Sequence, residues 1–166
     1  MAETKLKGEP VRLAGSLVQV GDVFPDFCAV DSTLRARDLS EFRGQYVILN
    51  VFPSVDTAVC AQSVRFFNQE AISLENTTVI NLSLDLPFAF KRFMEKEGLT
   101  HILSLSLFRD PAVGKQIGLR IENGILQGLL ARAVFVLDPS GRVIHRELVE
   151  DISQPPRYHR AIEAIQ

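Results

Sequence analysis

Residues 46–52, Y-V-I-L-N-V-F, form a nearly continuous apolar, β-branched run. A strand that is apolar on both faces belongs inside a sheet covered on both sides, so this run predicts a central strand of an α/β fold. Pro53 ends it, because proline has no N–H to give to a central ladder. Beyond it Cys60, Val64, Phe67 and Ala71 recur at helical spacing, with Gln62, Arg65, Asn68 and Gln69 on the opposite face. The one loop between strand and helix carries Ser54, Asp56 and Thr57, residues suited to turns and N-caps. A cysteine in the first turn of a helix faces orphan N–H groups and the positive end of the dipole, which favour the thiolate, the reactive form. The stretch reads as a cysteine nucleophile displayed at the C-terminal end of a parallel strand.

The rest of the chain supplies the neighbours of that strand. Residues 6–18 alternate weakly and contain Gly8, Pro10 and Gly15, which predicts an N-terminal hairpin. Residues 20–30 lead into a short strand holding Cys28, and 31–43 are polar and turn-like with a short helix at 39–42. After the cysteine helix, Asn76 marks a turn and 78–84 a second parallel strand, completing a β-α-β unit. Leu86-Pro87 opens a helix that runs to about Lys96 and stops at Gly98. Strand-like 103–107, a short helix over 111–117, a glycine-spaced connection at 118–128 and an apolar strand at 133–137 follow. Asp138-Pro139-Ser140-Gly141 is a turn returning the chain antiparallel as 142–149, and 157–165 is a closing amphipathic helix.

Composition narrows the functional classes. A length of 166 residues predicts a single domain spanning 1–166, and 46% hydrophobic with 23% charged residues is ordinary for a globular protein. A net charge of −2 with no dense basic cluster argues against nucleic acid, and no apolar run approaches the roughly 20 residues needed to span a bilayer. The first ten residues hold no apolar segment, so a cytoplasmic location is expected, where two cysteines make no disulfide scaffold. His101, His145 and His159 are far apart, read as surface residues and suggest no metal site. The glycines of 118–128 lack a nucleotide-binding pattern, and no cofactor is expected.

P-x-x-x-T-x-x-C, present as Pro53, Thr57 and Cys60, resembles the peroxidatic-cysteine motif of the peroxiredoxins. The wider N-V-F-P-S-V-D-T-A-V-C-A-Q-S-V-R-F-F-N is similar to the bacterial thiol peroxidase subfamily. The likeness continues through S-L-D-L-P-F-A-F-K-R-F, L-S-L-F-R-D, G-L-L-A-R-A-V-F-V-L-D and E-L-V-E-D-I, covering nearly everything from Val20 onward. The resemblance implies a thioredoxin-like fold, a central mixed sheet flanked by helices, with an N-terminal β-hairpin extension. It also implies a thiol-dependent peroxidase that reduces hydrogen peroxide and alkyl hydroperoxides, a thioredoxin or other external thiol as reductant, and a homodimer. A peroxide-sensing redox switch with little turnover is the alternative.

Peroxide reduction needs an activated thiolate, donors aimed at both oxygens and some exclusion of water. Cys60 supplies the nucleophile, Thr57 a hydroxyl three residues before it, and Pro53 a cover over the sulfur. Arg132 precedes a strand at a position that matches the family's active-site arginine, and its fixed fork suits a site that addresses sulfur and oxygen together. Singly, each has a plainer reading: a core cysteine, an N-cap, a strand stop, a solvated charge. Asp56 reads as a cap or loop brace, since a carboxylate beside a thiol opposes its ionisation.

One departure matters. Members of the subfamily usually hold a resolving cysteine after L-D-L-P within R-F-C, whereas this chain reads Arg92-Phe93-Met94. Methionine cannot form the disulfide that captures a sulfenic acid. Either an external thiol resolves the oxidised residue or Cys28 does so. Cys28, in an apolar stretch, reads as a small buried filler, so one-cysteine behaviour is expected.

Overall fold

A computed structural model describes residues 3–166. The apolar run forms β5 (Tyr46–Val51), and it is covered on both faces as its composition requires. Val47, Leu49 and Val51 point into one core, and Ile48 into another; none of the four is more than 2% exposed. β6 (Thr77–Ser83) pairs parallel to β5, and β7 (Leu103–Ser106) parallel to β6. On its other side β5 meets antiparallel β9 (Ala133–Leu137), which carries the edge strand β10 (Val143–Leu148). Beyond β7 lie β3 (Cys28–Val30) and β4 (Ala36–Asp38), which gives a seven-stranded mixed sheet of order β10-β9-β5-β6-β7-β3-β4.

Three helices carry side chains into the cores on one face of this sheet. α1 (Ala58–Ala71) follows β5, α2 (Pro87–Glu97) follows β6, and α4 (Tyr158–Glu163) closes the chain. Phe67 of α1 and Ile162 of α4 pack with Ile48, Val79, Val134 and Val136. Tyr158 stacks on Phe66 with ring centroids 4.5 Å apart, which fixes α4 to α1. The opposite face is covered by the N-terminal segment and α3 (Ala112–Gln116): Leu13, Phe24, Val113 and Ile117 join Leu49, Leu82 and Phe135 in the largest core. A side chain such as Phe135, with no exposed surface, contributes about 1.5–3 kcal/mol by its burial.

Local chemistry sets the ends of these elements. Pro87 takes the first turn of α2, where its missing N–H is not needed, and Gly98 caps the helix in the left-handed region at φ 68°. In the Asp138–Gly141 turn the Asp138 carboxylate accepts from the Ser140 hydroxyl and from the Ser140 and Arg142 N–H groups, which hold its acid below the usual range. Asn76 turns the chain into β6 at φ 47°.

Several expectations are corrected. The hairpin lies earlier than 6–18: β1 (Glu3–Leu6) and β2 (Glu9–Ala14) turn at Lys7-Gly8. β4 arises inside the stretch read as turn-like, and the glycine-spaced connection contains β8 (Arg120–Ile121), which pairs with β2 in a separate three-stranded sheet. Strands of two or three residues have no periodicity to read; distant pairing makes them. Asn68 sits on the buried face of α1, where its Oδ1 accepts the His101 N–H at 2.9 Å. His145 is half-buried rather than superficial, and burial disfavours its charged form and lowers its pKa below the ordinary imidazole value. Among the described residues no helix is long and apolar enough to cross a membrane.

Candidate active site

Cys60 is the third residue of α1, immediately above the C-terminal end of β5. Its side chain enters a small apolar cluster with Phe52, Val55, Ala61, Val64, Phe90 and Phe93, and the residue is fully buried. The Arg132 guanidinium reaches the same point from the residue before β9, the strand beside β5, and its Nη1 donates to Cys60 Sγ at 3.1 Å. Arg132 is itself 2% exposed, and its Nε donates to the Ile152 carbonyl at 2.9 Å. Among the described residues no carboxylate lies within ion-pair distance of that guanidinium. A buried cation without a counter-charge is expensive, and among the described residues the Cys60 sulfur is the side-chain group that this guanidinium contacts.

The loop between β5 and α1 is pinned from the next crossover. Asp85, after β6, accepts from Ser54 Oγ at 2.7 Å, from the Val55 N–H at 2.8 Å and from Ser83 Oγ at 2.5 Å. Ser106 Oγ holds the Asp85 carbonyl at 2.5 Å. One residue thus ties the three strand ends together, its carboxylate holding the β5 loop and β6 and its carbonyl holding β7. Asp56 braces the loop to α2 through Arg92 at 2.6 Å, an exposed pair of small energetic weight.

The structure places the four sequence-derived candidates unequally. Cys60 and Arg132 are in contact. Pro53 is buried, on the loop between β5 and α1. Thr57 occupies the N-cap position of α1, but its exposed hydroxyl donates to the Ser54 carbonyl at 3.0 Å and caps no helical N–H. Its oxygen keeps an acceptor site while the proton is committed to the loop. Asp85 and the Ile152 carbonyl were not legible as site residues, because their roles rest on contacts between separate strands. The only available signal for Asp85 was a carboxylate at the end of the strand next to the cysteine's own.

Met94 is half-buried and packs against the cluster that holds Cys60. Arg65 of α1 binds Glu97 of α2 through two nitrogens, at 2.7 and 3.1 Å, so the two helices are clamped. Cys28 overturns the reading as a buried filler: it is exposed at the start of β3, opposite Asp38. The partial desolvation of its sulfur and the Asp38 carboxylate raise its thiol above the ordinary value.

A thioredoxin-like sheet that buries one arginine-paired cysteine at a helix N-terminus defines a thiol-based redox enzyme. Residues 19–162 match the Redoxin family. The chain is 45% identical to a thiol peroxidase of Corynebacterium glutamicum and 42% identical to one of Mycobacterium bovis, over 99% of each chain. It superposes on a peroxiredoxin-like protein from Aquifex aeolicus with a TM-score of 0.94 at 33% identity, over 99% of this chain and 96% of that one. The chain belongs to the peroxiredoxins, in the bacterial thiol peroxidase branch. It is a thiol-dependent peroxidase.

Proposed function

We propose that Cys60 is the peroxidatic residue and that it works as a single catalytic cysteine on hydrogen peroxide and alkyl hydroperoxides. The observation that carries this is the Arg132 guanidinium, buried without a carboxylate and 3.1 Å from the Cys60 sulfur. The thiolate attacks one peroxide oxygen, an S–O bond forms as the O–O bond breaks, and two electrons pass from sulfur to the peroxide. The sulfur keeps that oxygen with its proton as a sulfenic acid, and the other oxygen leaves as hydroxide or alkoxide and takes a proton from water. Arg132 holds the thiolate and polarises the peroxide, with its charge fixed at every working pH. Thr57 orients the peroxide once its hydroxyl turns from Ser54, and Pro53 limits hydration of the sulfur.

The recycling half is external. Two thiols of a thioredoxin or another donor reduce the sulfenic acid, giving one disulfide on the donor, one water and the thiolate again. Met94 in place of the usual resolving cysteine supports this, as does the clamp of α2 onto α1. We read the chain as one domain, acting in the cytoplasm as a homodimer. The test is steady-state hydroperoxide consumption with thioredoxin and, separately, with dithiothreitol. Sustained turnover with either donor is expected, and a single turnover with both would overturn external recycling.

A further inference from the structure

Under α1 the sheet interior carries a row of polar side chains where apolar ones are expected. Asn50 on β5, Asn81 on β6 and Ser104 on β7 are in register, and none is more than 4% exposed. Asn50 Nδ2 donates to Asn81 Oδ1 at 3.2 Å, and Asn81 Nδ2 donates to Ser104 Oγ at 3.3 Å. The row turns out of the sheet at Asn50, whose Nδ2 also donates to Ser63 Oγ on α1 at 3.2 Å. Ser63, fully buried, then donates to the carbonyl of Cys60 at 2.7 Å. A continuous hydrogen-bonded path therefore runs from the middle of the sheet to the backbone of the proposed peroxidatic residue.

Resting on the reading of Cys60 and Arg132 given above, we propose that Asn50 and Ser63 are positioning residues for peroxide reduction. Two observations favour this over a plain structural role. The row is a poor way to gain stability: Asn50 Oδ1 is buried with no donor among the described residues, and such a group keeps its full desolvation cost. Apolar side chains of similar shape would fill the same space without it. The row also ends on the one helical turn whose placement decides the chemistry. Cys60 rides on α1 while Arg132 is fixed at the start of β9, so the 3.1 Å contact spans two separate elements of the fold. Asn50 stands between them, in register with Val134 of β9 and bonded to α1. A serine hydroxyl bonding back to a carbonyl in the preceding turn bends a helix locally, and Asn50 sets the direction of that bend. The sulfur is thereby held where the guanidinium can meet both it and a peroxide.

The test is Ser63→Ala in the full chain, with Ser104→Ala as comparator at the far end of the row, two strands from α1. Ser63→Ala should lower the second-order rate of Cys60 oxidation about ten- to a hundredfold, the scale of a misplacement near 1 Å. It should also move the midpoint of the pH profile for Cys60 alkylation upward. Ser104→Ala should change thermal stability and leave the alkylation midpoint in place. Should Ser63→Ala fail to fold, Asn50→Ala removes the donor instead and carries the same expectation. An alkylation profile identical to wild type in the folded variant overturns the proposal, and so does an equal shift in Ser104→Ala. A wild-type protein whose Cys60 does not react with hydroperoxide would instead overturn the roles given to Cys60 and Arg132.

Discussion

The two cysteines invert the usual link between exposure and reactivity. Cys28 is open to solvent, yet partial desolvation of its sulfur and the Asp38 carboxylate across the strand pair raise its thiol above the ordinary value. Cys60 is closed to solvent, yet it sits at a helix N-terminus against a buried guanidinium. At Cys60 the guanidinium of Arg132 and the N-terminal end of α1 both face the sulfur. At Cys28 Arg109 opposes the carboxylate, with the smallest effect of those acting on that sulfur. The two sulfurs differ in the sign of the nearest charge, a carboxylate at Cys28 and a guanidinium at Cys60.

The comparison breaks most sharply under substitution. Cys60→Ser should abolish peroxide consumption with the fold intact by circular dichroism, while Cys28→Ser should keep the wild-type rate within about twofold, inside the range of ordinary surface changes. Equal losses in both would dissolve the distinction. Arg132→Met should slow Cys60 oxidation by about 10²–10³-fold, the cost of removing one preorganised donor, measured by stopped-flow under single-turnover conditions. An unchanged rate would make the arginine structural.

A smaller but sharper effect concerns the oxidised product. Cys28 is on β3, three strand positions from β5, so sheet spacing alone sets it on the order of 14 Å from the cysteine's strand. A disulfide needs Cα atoms within about 7 Å. After one equivalent of peroxide, intact mass should show a gain of one oxygen, and excess peroxide should drive the residue to sulfinic acid. A loss of two hydrogens mapped to Cys28–Cys60 would make Cys28 the resolving residue.

The smallest effect tests the strap behind Arg132. Asp151 accepts from Ser153 Oγ at 2.7 Å and from the N–H groups of Ser153, Gly8 and Lys7 at 2.9–3.0 Å, which hold its carboxyl well below the usual range. Its unfolded value is about 3.9. With the folded value depressed, its stabilisation is complete above that pH and disappears as pH falls through the folded value. Asp151→Asn should therefore lower the urea midpoint at pH 7, and the two proteins should converge as pH drops below about 3.9. A constant gap across that window would assign the loss to packing.

Much of this arrangement was legible in the residues. An apolar run of seven, a proline stop and a cysteine at the first helical turn locate β5, the loop and α1, because each depends on neighbours in sequence. The Gly98 cap and the Asp138–Gly141 turn were readable for the same reason. Cys28 was misread because its apolar neighbours Ala29 and Val30 suggest burial, while the sheet leaves the first residue of β3 open. Asp85, Ser63 and Ile152 stayed hidden, since each acts through a partner on another element. Asn50 interrupted the apolar run in plain view, and only the register with Asn81 gives that interruption a meaning.

The carbonyl that steadies Arg132 belongs to a segment stitched to the first strand: the Ile152 N–H donates to the Lys5 carbonyl at 2.7 Å, and Thr4 Oγ1 donates to Val149 at 2.8 Å. During synthesis the chain emerges from its N-terminus, and domains take shape in that order. Cys60 therefore leaves the ribosome long before Arg132, and longer still before residue 152 joins the first strand to lock the guanidinium in place. The Cys60–Arg132 contact thus leans on one of the longest-range pairings in the fold, Thr4 with Val149, 145 residues apart in sequence.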